Sequence, residues 1–385
     1  MLQNAPVFHS SMSQELSYLQ NLLKLMVSRG ASDLHLKAMR PPLLRIDGEL
    51  LPVKTDPLSS ELVAQIAHHM INSVQRENLE RDLAIDLGYS APGLARFRVN
   101  IYYQRGTVAI ALRRIAFAIP TIRNLQLPPV LRHFTQRRHG LVLVTGPTGT
   151  GKSTTLAALL QEVNQQRRAH VITIEDPIEY LFRDELASID QREIGTDCHN
   201  FAAALRNALR EDPDVVMVGE MRDLETIRTV MTAAETGHLI FSTLHTNSAA
   251  QTLTRVIDVF PVEQQSQIRL QLSHVLVGVV SQRLINRRDI RGRIAAVEVL
   301  LNSPRIQRLL AEGRIDDIQR EMENSVDYYR MQTMDQSIIA LMANGVVDRE
   351  EALKTSRSPE DLLFNLRKLG FDGDVTPQED LARAG

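Results

Sequence analysis

The sequence predicts a chain of the α/β class in two folded parts, and three observations carry the prediction. Near Gly140 the pattern changes from amphipathic helices and paired strands to short apolar strands that alternate with helices, the layout of a parallel sheet covered on both faces. A glycine-rich loop, 146–153, falls between one of those strands and the helix after it. The length of 385 residues exceeds what one hydrophobic core usually organises. With 43% hydrophobic and 23% charged residues the composition is that of an ordinary globular chain rather than a disordered one.

In chain order, Leu16, Leu19, Leu23, Met26 and Val27 follow helical spacing, and the run ends at Gly30, a C-terminal stop. Residues 43–46 and 50–53 flank Asp47-Gly48, a dipeptide that tolerates the positive φ of a tight hairpin. A helical stretch around 62–74 follows, and then two strands, 95–103 and 108–115, are joined across Gln104-Arg105-Gly106. These elements make a small α+β domain. Pro120, Pro128 and Pro129 interrupt the next stretch, which has no clean period and reads as a linker. Residues 141–145, 171–174, 215–218 and 239–243 are short buried-type strands. Beyond Ser303 the chain reads as short helices, among them 334–343 and 359–369, with a polar tail from Asp372. There is no internal repeat and no low-complexity tract.

Composition narrows the function. The apolar stretches at 141–144 and 275–280 are far short of the roughly 18 residues that cross a bilayer. Residues 1–10 lack the basic-then-apolar order of an export signal. A single cysteine, Cys198, closes no internal disulfide and makes no zinc clip. The expectation is a soluble cytoplasmic protein without a transmembrane segment. A formal charge of −2 gives no global attraction to nucleic acid. The basic clusters Arg137-Arg138-His139 and 287–293 have no aromatic-rich basic strand beside them and read as solvated loops. Between Lys54 and Lys354 the sole lysine is Lys152, although arginines are spread throughout that interval.

Lys152 ends the run Gly146-Pro147-Thr148-Gly149-Thr150-Gly151-Lys152-Ser153, followed by Thr154. The run matches GxxxxGK[ST] with the strand and helix on either side that the motif requires. Its glycines let backbone N–H groups turn toward a β-phosphate, Lys152 neutralises β/γ oxygens, and Ser153 can ligate Mg²⁺. The apolar strand 215–218 leads to Gly219-Glu220, an acidic strand end that can hold a metal-bound water or polarise an attacking one. Thr173-Ile174-Glu175-Asp176-Pro177 puts two carboxylates at another strand end. Adjacent side chains of an extended chain point to opposite faces, so one of the two faces the nucleotide, and Glu175 is the choice. His238 and His245 bracket a further strand. Histidines near phosphates can sense a γ-group by hydrogen bonding, although a lone histidine is more often structural.

Together these blocks resemble the secretion NTPase superfamily, and within it the PilT/PilU-type retraction motors of type IV pili. Ala31-Ser32-Asp33-Leu34-His35-Leu36 looks like their N-terminal signature, and the blocks at 146–154, 173–179, 212–223 and 234–247 look like the Walker A, Asp box, Walker B and His box. The resemblance implies a PAS-like N-terminal domain at 15–116 after a tail at 1–14. It implies a linker at 117–135, a RecA-like ATPase core at 136–302, a C-terminal helical region at 303–371 and a polar tail at 372–385. It further implies a homohexamer that binds ATP and Mg²⁺, with Ser153 and Glu220 at the metal and His238 beside the nucleotide. Arg98 and Arg113, on the strands containing Arg96-Phe97-Arg98 and Leu112-Arg113-Arg114, would stabilise γ-phosphate charge. The implied activity is ATP hydrolysis coupled to pilus retraction (twitching motility) at the inner-membrane base of the machine. The partners that the resemblance implies are a membrane platform protein and a paralogous retraction ATPase, with no nucleic acid. The alternatives are an ATPase of pilus assembly or of a type II/IVB secretion system, and a non-hydrolysing accessory subunit. The chain departs from retraction motors at 304–310, where Pro-Arg-Ile-Gln-Arg-Leu-Leu keeps the amphipathic spacing of their AIRNLIRE helix but not its letters. Gly219–Asp223 resembles the PilT branch, whereas the 361–369 helix resembles the PilU branch.

Overall fold

The computed structural model describes residues 14–46, 48–115 and 119–368. The tails at 1–13 and 369–385, Asp47 of the expected hairpin, and the 116–118 junction between the expected N-terminal domain and linker lie outside the described residues. The chain divides into two compact units, Met1–Ala118 with Pro177–Leu181, and Ile119–Asp176 with Phe182–Gly385.

In the first unit, helix α1 (Gln14–Ser28) precedes strands β1 (Asp33–Lys37), β2 (Leu43–Ile46) and β3 (Glu49–Pro52). Helices α2 (Ser60–Met70) and α3 (Ser73–Asp82) lead to β4 (Ala84–Ala91), β5 (Ala95–Gln104) and β6 (Thr107–Arg114). The strands form one antiparallel sheet in the order β3-β2-β1-β6-β5-β4. The helical spacing of α1 places Leu19, Leu23 and Met26 in the core of this unit beside Phe97, Val99 and Ile101, which alternate along β5. The single helix expected around 62–74 is two. Asn72 accepts from the Gln75 amide while the Gln75 side chain accepts from the Asn72 amide, and this reciprocal cap starts a new helix where an unbroken one would have continued. Strand β4 was not expected from the sequence, although Ile85, Leu87 and Tyr89 alternate along it.

The second unit opens with α4 (Arg132–Thr135), β7 (Gly140–Thr145), α5 (Lys152–Gln166), β8 (His170–Glu175), β9 (Ser188–Glu193) and α6 (Phe201–Ala208). It continues with β10 (Val215–Val218), α7 (Leu224–Glu235), β11 (Leu239–Leu244), α8 (Ala249–Asp258), α9 (Val262–Val275), β12 (Leu276–Asn286) and β13 (Arg293–Leu301). Helices α10 (Pro304–Ala311), α11 (Asp316–Asn324), α12 (Val326–Tyr329), α13 (Met334–Ala343), α14 (Arg349–Thr355) and α15 (Pro359–Lys368) complete it. The sheet order is β13-β12-β7-β11-β10-β8-β9. Every pairing is parallel except β12 with β13. The four strands expected to be parallel are so, and the antiparallel β12–β13 hairpin extends the sheet at one edge. Strands β7 and β11 are buried at every position, as strands covered on both faces must be. The segment before β7 contributes Ile122, Leu127, Leu131 and Phe134 to the same core. A separate apolar cluster joins Ile285, Ile294 and Ala296 of the β12–β13 hairpin to Met334, Ile338, Met342, Ala352, Leu362 and Leu366 of α13–α15. Among the described residues no helix is long and apolar enough to cross a membrane.

Gly278 marks an irregularity in the β12–β7 pairing. A Cβ there would stand 2.4 Å from the Leu300 carbonyl oxygen and 2.6 Å from the Phe134 ring. Gly278→Ala is expected to lower stability by about 1–3 kcal/mol through overpacking, seen as an earlier thermal melt. An unchanged melt would show that Phe134 moves aside freely.

Candidate functional site

Strands β7, β11, β10 and β8 are neighbours in the sheet and run parallel, so their carboxyl ends meet at one edge, where ligands of open α/β sheets bind. The chain leaves β7 into the glycine-rich loop. Gly146 has φ +143°, and a Cβ on it would come within 2.4 Å of the Gln282 carbonyl oxygen and 2.8 Å of Thr150 Oγ1, so no other residue fits. Gly149 (φ +79°) and Gly151 (φ +85°) also occupy the left-handed region. Thr150 Oγ1 donates to the Pro147 carbonyl at 2.8 Å and closes the loop. Helix α5 starts from Gly151 with no side-chain cap, and the amino end of a helix favours an anionic group. A glycine cradle around an uncapped helix start suits a phosphate. Ser153 and Thr154 lie in that first turn.

Lys152 Nζ donates to the carbonyls of Gly146 (2.9 Å) and Pro147 (3.0 Å) and lies 3.5 Å from His245 Nδ1. His245 follows β11, and its Nε2 is 3.2 Å from Glu220 Oε1. The tautomer protonated at Nε2 serves both neighbours, since Nε2–H donates to the Glu220 carboxylate while Nδ1 accepts from the lysine ammonium. Glu220 follows β10, and its other oxygen accepts from Arg222 Nε at 2.8 Å. Thr243 Oγ1 donates to the Gly219 carbonyl at 2.6 Å and ties the ends of β11 and β10 together. Glu175 ends β8 and is buried, with Thr173 Oγ1 (2.7 Å) and Gln191 Nε2 (3.2 Å) donating to its Oε1. Asp176 beside it is exposed.

These placements bring Lys152, His245, Glu220 and Glu175 to one sheet edge. His238, expected beside the nucleotide, is not among them. It precedes β11, its Nδ1 donates to the Ala233 carbonyl at 3.0 Å, and its carbonyl accepts from the Gly140 amide at the start of β7. The six residues of β11, at about 3.3 Å each, put it at the opposite edge of the sheet.

Arg98 and Arg113 belong to the first unit, where they face each other across β5 and β6. In the same transverse row Asp33 pairs with Arg113 on one side and Arg45 on the other. Asp33 Oδ1 accepts from Arg113 Nε at 2.8 Å. Burial pushes the Asp33 carboxyl up, but the Ser32 hydroxyl and the Arg113 guanidinium outweigh it and hold the group below the usual range. Two guanidiniums directly opposite repel each other. The Arg113 side chain is 72% exposed, and Arg98 is exposed as well.

Sequence reasoning did not identify Gln282, Gln191 or Arg222. Gln282 Nε2 donates to the Thr150 carbonyl at 2.6 Å while its Oε1 accepts from Thr155 Oγ1 at 2.9 Å, so one amide clamps the loop to α5. The available signal was two polar residues, Ser281 and Gln282, directly after the apolar run 275–280. Among the described residues no cluster of three His, Cys, Asp or Glu groups could hold a metal ion. A Mg²⁺ here would depend on phosphate oxygens and water with one or two protein oxygens, as this ion commonly does.

The fold and the loop together define an α/β P-loop nucleotide-binding protein with a RecA-like ATPase unit. The family model for type II/IV secretion system proteins matches residues 11–354, and the chain belongs to that family. It is 43% identical over 339 residues to the type IV pilus retraction ATPase PilT of Pseudomonas aeruginosa, covering 88% of this chain and 98% of that one. It is 40% identical over 356 residues to the type IV pilus ATPase PilU of the same species, covering 92% and 93%. A crystal structure of the pilus retraction motor PilT with bound ADP superposes with a TM-score of 0.82 over 89% of this chain and 98% of that one, at 43% identity. The Legionella pneumophila ATPase DotB does so with a TM-score of 0.78 over 94% and 97%, at 27% identity.

Replacing Gln282 by Leu leaves the Thr150 carbonyl and the Thr155 hydroxyl without their partner, at about 1–3 kcal/mol for each orphaned group. ADP affinity of Gln282→Leu, titrated with a fluorescent analogue, is expected to fall about tenfold with the fold retained. Wild-type affinity would mean that the loop holds its shape unaided.

Proposed function

We propose that this protein is a cytoplasmic motor ATPase that assembles as a homohexamer and couples Mg-ATP hydrolysis to type IV pilus retraction. It would work at the inner-membrane base of the pilus, against a platform protein and alongside a paralogous retraction ATPase. The observation that carries the reading is the line Lys152–His245–Glu220 across the ends of three neighbouring parallel strands. It occurs in a chain that aligns with nearly the full length of a retraction ATPase.

In this reading the amides of the 146–154 loop receive the phosphates, and Lys152 exchanges its loop carbonyls for β/γ oxygens. Ser153, and Glu220 through a water, would hold a Mg²⁺ ion, which would supply charge neutralisation at the γ-phosphate. Glu220 takes the proton of the attacking water, with Arg222 fixing the orientation of its carboxylate. His245 reports the γ-phosphate to Glu220, because one ring touches both Glu220 and the lysine that binds the phosphates. Glu175, oriented by Thr173 and Gln191, positions metal or water. Arg98 and Arg113 stabilise charge on the transferred group, where their mutual repulsion would be relieved by an anion. The second reading is the ATPase of pilus assembly or of a type II or type IVB secretion system, and the match to the type II/IV secretion system family supports it.

Two experiments test these statements. Glu220→Gln is expected to keep ADP binding and to lose at least about 100-fold in phosphate release, the scale of a positioned general base, whereas Lys152→Ala loses both. Wild-type turnover in Glu220→Gln would pass the base to Glu175. Cells lacking the protein, including those also lacking a paralogous retraction ATPase, are expected to keep surface pili and to lose twitching. Bald cells in electron micrographs would assign the motor to assembly or secretion instead.

A further inference from the structure

Beneath the segment that follows His245, the second unit buries polar side chains at the carboxyl edge of its apolar sheet. Ser281 of β12 and Thr145 of β7 are register partners with hydroxyls 2.7 Å apart. Thr252 of α8 reaches Thr145 at 3.4 Å and pairs with Thr246, the residue after His245, at 2.7 Å. Opposite Ser281 on β13 stands Glu298, which is 5% exposed. Its Oε1 accepts from the Ala249 amide at 2.6 Å and its Oε2 from the Met334 amide at 3.4 Å. Ala249 and Met334 are the first residues of α8 and α13. One carboxyl therefore serves the amino ends of two helices, where backbone amides lack intrahelical partners and negative charge is favoured. Burial, with a smaller push from Asp335, outweighs the pull of the Ala249 amide, the Arg357 charge and the Met334 amide, and holds this carboxyl above its usual range. A carboxyl kept at that cost calls for a role.

We propose that Glu298 is a positioning residue that holds the first turn of α8, and through it His245, in line with Lys152 and Glu220, and that it binds this arrangement to the C-terminal helices. The path is short. Ser248 caps α8 through the Gln251 amide at 3.2 Å, the Ala249 amide is fixed by Glu298, and Thr246 is pinned to Thr252. The segment between the end of β11 and α8 is thus held at both of its ends. On the other side, Met334 and Ile338 of α13 pack on the β12–β13 hairpin, so a shift of α13 would be felt at the carboxyl that holds Ala249. The inference rests on the reading of His245 as a group at the γ-phosphate.

The test compares ATP turnover and ADP affinity for the full-length chain as wild type, Glu298→Gln, His245→Ala and the double variant. Glutamine keeps the size of the side chain but turns an NH₂ toward one of the two amides. A displacement on the order of 1 Å can cost up to about 100-fold in rate. Glu298→Gln is expected to lower kcat about tenfold with ADP affinity within about twofold of wild type. It should cost nothing further in the His245→Ala background, where the residual rate is followed by phosphate accumulation over hours. Equal losses in both backgrounds, or a matching loss of ADP affinity, would make Glu298 merely structural and overturn the proposal. If Glu298→Gln does not fold, Glu298→Asp, which is too short to reach both amides, enters the same comparison. Wild-type turnover in the Glu298 variant beside a crippled His245→Ala overturns the positioning role alone. Wild-type turnover in His245→Ala overturns the underlying reading of His245 together with it.

Discussion

In a parallel sheet all strands finish at the same edge, and the loops that leave them are forced into one another's company whatever their distance along the chain. Strands β7, β11, β10 and β8 stand side by side in this protein, and their exits supply Lys152, His245, Glu220 and Glu175 in that spatial order. The register is exact at the ends that matter, with Leu244 beside Thr145 and Val218 beside Ser242 and Ile174. A shift of one residue in any pairing would exchange the side chains on the two covered faces and break the line from lysine through imidazole to carboxylate.

The same edge carries polar groups that burial alone would disfavour. Ser281, Thr145 and Thr252 are fully buried and tolerated because they bond to one another. Gln282 spends both ends of its amide on the phosphate loop and α5. Glu298 collects two helix amides. Apolar packing thus sets the sheet, and a satisfied polar layer over its carboxyl edge sets the loops.

The first unit shows a different constraint. Its sheet buries one side and turns Arg96, Arg98 and Arg113 to the other, with Asp33 supplying the carboxylate between Arg113 and Arg45. Arg98 faces a like charge in register. Such a row is unfavourable by itself, and it leaves Arg98 and Arg113 exposed on adjacent strands.

The sequence by itself determined the phosphate loop, the alternation of strands and helices around it, the core positions of α1 and β5, and the identity of the acidic strand ends. Each of these is local: glycines at positive φ, a period of 3.6 or 2.0 residues, and an apolar run that ends in a carboxylate all lie within a few consecutive positions. Strand β9, with Ser188, Asp190, Gln191 and Arg192, was too polar to read, and the hairpin of β12 and β13 carried no signal that it runs against the rest of the sheet. Only the tertiary structure decided which end of β11 meets the phosphate loop, and so why His245 joins the site while His238 caps the far edge with the Ala233 carbonyl. It alone decided that Gln282 and Glu298 matter, because their partners, Thr150 and Thr155, Ala249 and Met334, are far away in the chain. The positions of those partners follow from sheet order and register, which arise from the packing of the whole core and are written in no short stretch of residues.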